Sequence, residues 1–318
     1  MRKLLFALTL SALLAAPAAT AQPLGIGTSP QGTVTYAFGA ALAKALQDAA
    51  SMQSRVQPSS GTGVMVPLVN SGEIDVGFCN SLELYEAFHG IGTFDKRPNP
   101  KLRTIAILFP LRVGLFVRND SPIKSIKDLK GKTIAYGYTS QEIIKTTVDA
   151  MLANAGLTIA DLKPVLVPNL IRGVDEFTAG RVDVTTFAIG GAKVSEADAA
   201  VGGLRYLDLD PSPDAVAAMK KVFRTSYMAK VSPAPSLAGV RETINTMHYD
   251  YTVFANADVP AERIKTITKV IAEQKDAMAL SVAQFRALRV ERMFTNYDVP
   301  FHDGAIAYYR EKGISETK

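Results

Sequence analysis

Cysteine is almost absent from this 318-residue chain: Cys79 stands alone, which excludes an intrachain disulfide framework. Histidine is nearly as scarce. His89, His248 and His302 are scattered without metal-ligand spacing, so no metal or other cofactor is expected. Blocks of lysine and arginine are missing too, although the balance is mildly basic at 35 − 30 = +5. Tracking a phosphate backbone needs clustered cations, so a nucleic-acid partner is excluded. G-x-S-x-G, H-E-x-x-H, a P-loop and a cysteine–histidine pattern are all lacking. Catalytic triads can scatter through a chain, but these absences favour binding over catalysis. What is present is 47% hydrophobic and 20% charged residues, enough for two domains with sizeable cores.

The chain opens on a basic Met1-Arg2-Lys3, a 13-residue apolar run from Leu4 to Ala16, Pro17, and the small triplet Ala19-Thr20-Ala21. This pattern predicts a cleaved signal peptide over residues 1–21 and a mature chain beginning at Gln22. The run is too short to span a bilayer, which takes about 20 apolar residues. Without a cysteine near the cleavage point, lipid attachment is not expected either. A soluble periplasmic protein follows. Cys79, flanked by Val76, Phe78 and Leu82, is expected to be buried.

Short strands alternate with helices along the mature chain, which predicts an α/β architecture. Strand residues 24–27 precede a helix carrying Val34, Phe38, Leu42 and Leu46 at helical spacing. Residues 64–69 read as a helix, Ile74, Val76 and Phe78 as a strand, and 82–88 as a helix. The apolar run 104–117, broken by Pro110 and Arg112, reads as two strands. The pattern then restarts: strand 133–136, helix 142–155 stopped by Gly156, strand 165–167, helix 174–178, strand from Val182. Ser71-Gly72-Glu73-Ile74-Asp75-Val76 in the first half resembles Ala179-Gly180-Arg181-Val182-Asp183-Val184 in the second. The repeat predicts two lobes of related design with a ligand cleft between them. Beyond Gly190 the signal weakens. Tyr249, Tyr251 and Val253 suggest a strand, and 260–280 one long helix.

Three strand-to-helix junctions carry the candidate site. Gly25-Ile26-Gly27-Thr28-Ser29-Pro30-Gln31-Gly32 lacks dinucleotide spacing but offers free N–H groups and the hydroxyls of Thr28, Ser29 and Thr33. A plain cap and turn would use the same residues. Asn80 and Ser81 stand where a strand enters the cleft, and Asn80 with Glu83 could equally form a capping box. Tyr138, Thr139 and Ser140 occupy the matching place in the second lobe. Arg112, inside the apolar run, needs a partner: either a ligand carboxylate held by its planar fork or an internal acid. The loops 25–33, 78–82 and 136–141 contain no Asp or Glu, which points to a ligand anion without an amine, unless Glu83, Glu142, Asp175 or Glu176 reaches in from a helix start.

Ile26-Gly27-Thr28, then Gly32, Val34, Tyr36 and Gly39, resembles the opening of TAXI-type solute receptors of TRAP transporters. Asn70 to Phe78, with Ser81 and Tyr85, resembles that family's next block. The segment Ser125 to Lys132 resembles one common to many binding proteins. The resemblance implies a two-lobed periplasmic binding protein of type II-like fold with a hinge. Residues 22–115 and 226–318 would form one lobe and 116–225 the other. It also implies a monomer that delivers a small organic anion to a TRAP-type membrane permease, with Thr28, Tyr36 and Ser81 matching family positions. Ser29, Pro30, Gln31 and Thr33 replace residues that are mostly glycine in that family. The competing readings are a receptor of an ABC importer for sulfonates, phosphonates or thiamine precursors, a secreted two-lobed enzyme, and a periplasmic sensor feeding a kinase.

Overall fold

A computed structural model describes residues 22–317; the expected signal peptide lies outside them. The first half runs β1 (Leu24–Thr28), α1 (Val34–Ala50), β2 (Ser54–Pro58), α2 (Thr62–Ser71), β3 (Val76–Asn80) and α3 (Ser81–His89). A 17-residue strand, β4 (Leu102–Arg118), leads into the second half. There the unit repeats as β5 (Thr133–Gly137), α4 (Ile143–Asn154), β6 (Lys163–Val167), α5 (Leu170–Thr178), β7 (Val184–Ala188) and α6 (Ala192–Ala200). The chain continues through β8 (Leu204–Tyr206), α7 (Pro213–Val222), β9 (Tyr227–Val231) and β10 (Ile244–Asn256). It closes with α8 (Ala261–Glu273), α9 (Lys275–Ser281) and α10 (Asp303–Glu311).

The strands follow one hydrogen-bonded order, β2-β1-β3-β10-β4-β7-β5-β6, with β8 on β4 and β9 on β10. Pairs within each repeated unit are parallel, whereas β4 and β10 run antiparallel to their neighbours. The result is a two-lobed α/β periplasmic-binding-protein fold whose lobes share the long strands β4 and β10.

The short sequence repeat proves to be structural. Gly72 (φ 85°) and Gly180 (φ 73°) take the left-handed turn that ends a helix and costs other residues steric strain. Three residues after each glycine an aspartate binds the first strand of its lobe. Asp75 accepts the Gly25 N–H at 2.6 Å, and Asp183 accepts the Thr133 N–H at 2.8 Å. Both bonds lock the first and third strands of a β-α-β-α-β unit into register.

Two expectations are corrected. The run 104–117 is not two strands but part of one: Pro110 pairs with Asp250 beside a register shift, an irregularity of the kind at which a strand tolerates proline. The helix expected over 260–280 is broken at Gln274 into α8 and α9. Between the sheet and the C-terminal segment lies an aromatic cluster. Phe38 meets Phe109 edge-on at 4.9 Å, Phe285 at 5.7 Å and Tyr251 at 5.5 Å. Such pairs contribute about 0.5–1.5 kcal/mol each beyond area burial. They fix Tyr251, which faces the cleft. Cys79 is fully buried, as expected from its apolar neighbours.

Candidate ligand cavity between the lobes

Parallel strands deliver their C-terminal ends to one edge, and the helices that follow begin there. Thr33 caps α1, its hydroxyl accepting the Tyr36 N–H at 3.2 Å. Asn80 caps α3 by accepting the Glu83 N–H at 2.9 Å. Asn169 caps α5 by accepting the Arg172 N–H at 3.0 Å. Helix N-termini carry partial positive charge and favour anions nearby. At the end of β5, Tyr138 takes a left-handed backbone (φ 43°) after Gly137 and turns the next residues toward the other lobe.

These elements line a partly open cavity between the lobes. Its first-lobe wall is mostly polar: Ser29, Thr33, Thr35, Thr62, Asn80, Glu83 and Tyr251, with Val34 among them. Its second-lobe wall carries Gln141 with Ile143, Ile144, Leu170, Phe187 and Ala188. Leu111 of β4 and Tyr249 of β10 join the walls. An apolar recess continues past Leu111, Ile144 and Phe187 toward Val113 and Thr186. No Lys, Arg or His lines either space among the described residues. The lobes also touch at the rim: a Cβ on Gly61, at the start of α2, would collide with the Ser140 carbonyl oxygen.

Glu83 is the one acid in the lining, 2% exposed. Its carboxylate accepts the Asn80 Nδ2–H at 2.8 Å and the Thr62 hydroxyl. The arrangement is therefore not the reciprocal capping box the sequence allowed, because Glu83 bonds the Asn80 side chain rather than its backbone. Burial pushes the Glu83 carboxyl up to about 7, against the pull of its Thr62 and Asn80 hydrogen bonds. The Tyr251 and Thr35 hydroxyls pair at 3.1 Å on the same wall.

The candidate residues separate into groups. Ser29, Thr33 and Asn80 line the cavity. Thr139 and Ser140 line an outer groove at the rim, and Tyr36 a groove on another side. Thr28, Ser81 and Tyr138 are wholly buried beneath the junctions and line none of these spaces. Arg112 follows Leu111 on β4, so strand alternation turns it away from the cavity. It makes no ion pair among the described residues and instead lies by His248, whose imidazole is pushed down to about 4, first by burial and then by the Arg112 charge. Sequence reasoning missed Thr35, Thr62, Tyr249, Tyr251 and the apolar wall, and it named Glu83 as a capping partner of Asn80 or an acid reaching in from a helix start.

The model of the NMT1-like family matches residues 26–313. The chain belongs to the NMT1-like family. Among solved structures, this NMT1-like protein is similar to PhnD1 from Prochlorococcus marinus in complex with methylphosphonate. The TM-score is 0.56 at 13% identity, over 92% of this chain and 98% of that one. It is similar at lower scores to the alkanesulfonate-binding protein SsuA from Xanthomonas axonopodis pv. citri bound to MOPS (TM-score 0.49, 16% identity, 84% and 80% covered). The substrate-binding protein of an amino acid ABC transporter follows (TM-score 0.47, 15% identity, 82% and 98% covered). These likenesses concern the fold, which is typical of periplasmic or secreted binding proteins.

The findings correct the resemblance to TAXI-type receptors, and with it the TRAP-type permease as partner and the organic-anion cargo drawn for that system. The physical reason is visible in the blocks that suggested it. Glycine, aspartate and valine at 72–76 form the turn and register lock that recur at 180–184, so they mark the β-α-β-α-β unit rather than one family within the fold. The amine-free ligand rested on loops without acids, but Glu83 enters from the first turn of α3.

Proposed function

We propose that this NMT1-like protein is an extracytoplasmic solute receptor serving an ABC importer, with a cargo drawn from sulfonates, phosphonates or thiamine precursors. The observation that carries this reading is the cavity lined from both lobes, with polar groups and helix N-termini on one side and apolar side chains on the other. Ser29, Thr33, Thr35, Asn80, Gln141 and Tyr251 would hold the polar end of the cargo. The crossing strands β4 and β10 would act as the hinge, bending near Pro110 and Asp250, where their register shifts. Residues 1–21 would direct export and be removed. Mass spectrometry of ligand released from freshly purified, denatured protein tests the cargo. Loss of that ligand's uptake on deleting the cognate ATPase supports the importer, and unchanged uptake refutes it.

A further inference from the structure

Glu83 is a carboxylate set into the cavity wall with no cation opposite it. The groups that face it are Thr62 from α2, Asn80 and Glu86 from the α3 region, Cys79 from β3, and Tyr249 and Tyr251 from β10. None of them is basic. A buried charge is retained where it is neutralised or paired, and here the protein supplies only two hydrogen bonds. Those bonds come from donors, so the arrangement serves an ionised carboxylate, with one lone pair on each oxygen left for a third partner. The partner must come from the cavity. On the same wall the Ser29 hydroxyl has no hydrogen bond among the described residues, is 6% exposed, and lines the cavity beside the start of α1. That end suits an anionic group, since the wall offers N–H groups and hydroxyls but no fixed cation. The apolar recess by Leu111, Ile144, Leu170 and Phe187 suits a hydrocarbon body.

We propose that the cargo is a zwitterion: a protonated amine seated on the Glu83 carboxylate, a sulfonate or phosphonate at the Ser29–Thr33 turn, and a short apolar body in the recess. This deepens the receptor reading and rests on it. Glu83 then acts as the residue that admits amine-bearing members of an acid class and rejects their amine-free counterparts, because an anion beside an unpaired carboxylate is repelled. Because burial already holds part of Glu83 protonated near neutral pH, an arriving ammonium expels that proton.

The test uses matched probes in calorimetry on the full chain, each pair differing mainly in the amine. The pairs are 2-aminoethanesulfonate against ethanesulfonate and aminomethylphosphonate against methylphosphonate. At least one amine member is expected to bind 10-fold or more tightly than its partner, with proton release at pH 6.5 and affinity falling below that pH. In Glu83→Gln, which keeps the shape of the side chain and removes its charge, the preference should shrink to 3-fold or less. Equal or tighter binding of amine-free members, with proton uptake, overturns the proposal. So does a co-purified ligand without a basic nitrogen, or a protein that binds no amine-bearing probe and carries no such ligand. Ala188→Phe separates the two readings by filling the cavity. Binding that survives it refutes the cavity as the cargo site. Binding lost there, with no amine preference in the wild type, leaves the receptor reading standing and removes the zwitterion.

Discussion

Replacing Glu83 with glutamine should make the ligand-free protein more stable, and only toward neutral and alkaline pH. Burial raises the Glu83 carboxyl from 4.5 to about 7. Between those values the folded protein keeps a proton that the unfolded chain has released, so stability falls as pH rises through that window and levels off above it. The shift of 7 − 4.5 = 2.5, at about 1.4 kcal/mol per pH step, is a cost of about 3 kcal/mol for holding the ionised form. Glutamine avoids that cost. It weakens the charge-assisted bonds from Thr62 and Asn80, a loss of about 1 kcal/mol. The variant should therefore be about 2 kcal/mol more stable than wild type at pH 8, and no more stable at pH 4. Urea denaturation of both proteins across this range reads the difference. Asp149, also raised by burial, is present in both proteins and cancels in it, whereas repulsion from Glu86 is part of the Glu83 shift and so of the difference. A gap that stays flat with pH, or a variant less stable at pH 8, would show that Glu83 is not a desolvated acid.

Gly61→Ala should weaken binding of the co-purified ligand by 10-fold or more and abolish ligand-induced compaction in small-angle scattering, because its methyl would strike the Ser140 carbonyl across the rim. Gly63→Ala, where an added methyl meets nothing, is the matched control and should behave as wild type. Cys79 should resist thiol reagents in the native protein and react only on unfolding, since its thiol is buried and pushed well above its ordinary value. Arg112→Ala should leave affinity within 3-fold of wild type, because its side chain points away from the cavity. A 100-fold loss in calorimetry would return Arg112 to the site.

The lobes were legible because their rules are local. Helical spacing at Val34, Phe38, Leu42 and Leu46, alternation at Ile74, Val76 and Phe78, and glycines at the helix ends each fix an element without distant contacts. The repeat at 71–76 and 179–184 was legible for the same reason, and the two aspartate locks explain its spacing. Where distant strands decide the outcome, the reading failed. Pro110 looked like a strand break, but β10 shifts its register opposite and lets β4 continue.

The cavity was harder to read, and the reason lies in what each wall is made of. Polar groups at strand ends announce themselves, so Ser29, Thr33 and Asn80 were found. Leu111, Ile144, Leu170 and Phe187 look like core residues in any sequence, because an apolar side chain has the same pattern whether it faces a core or a ligand. Only the opposing lobe distinguishes the two. Glu83 illustrates the limit most clearly. At the third position of a helix beginning with Asn80, an acid has an ordinary reading as a capping partner, and that reading needs no ligand. The structure gives the capping task to the Asn80 side chain alone and leaves the carboxylate bridging Thr62 and Asn80 at the cavity wall. An acid released from its local role, buried, and without a protein cation is most simply explained by a counter-charge that arrives with the cargo. The sequence contains that acid but not its surroundings. Thr62 and Tyr251 lie 21 and 168 residues from Glu83 along the chain, and it is their meeting that turns a helix cap into a binding group.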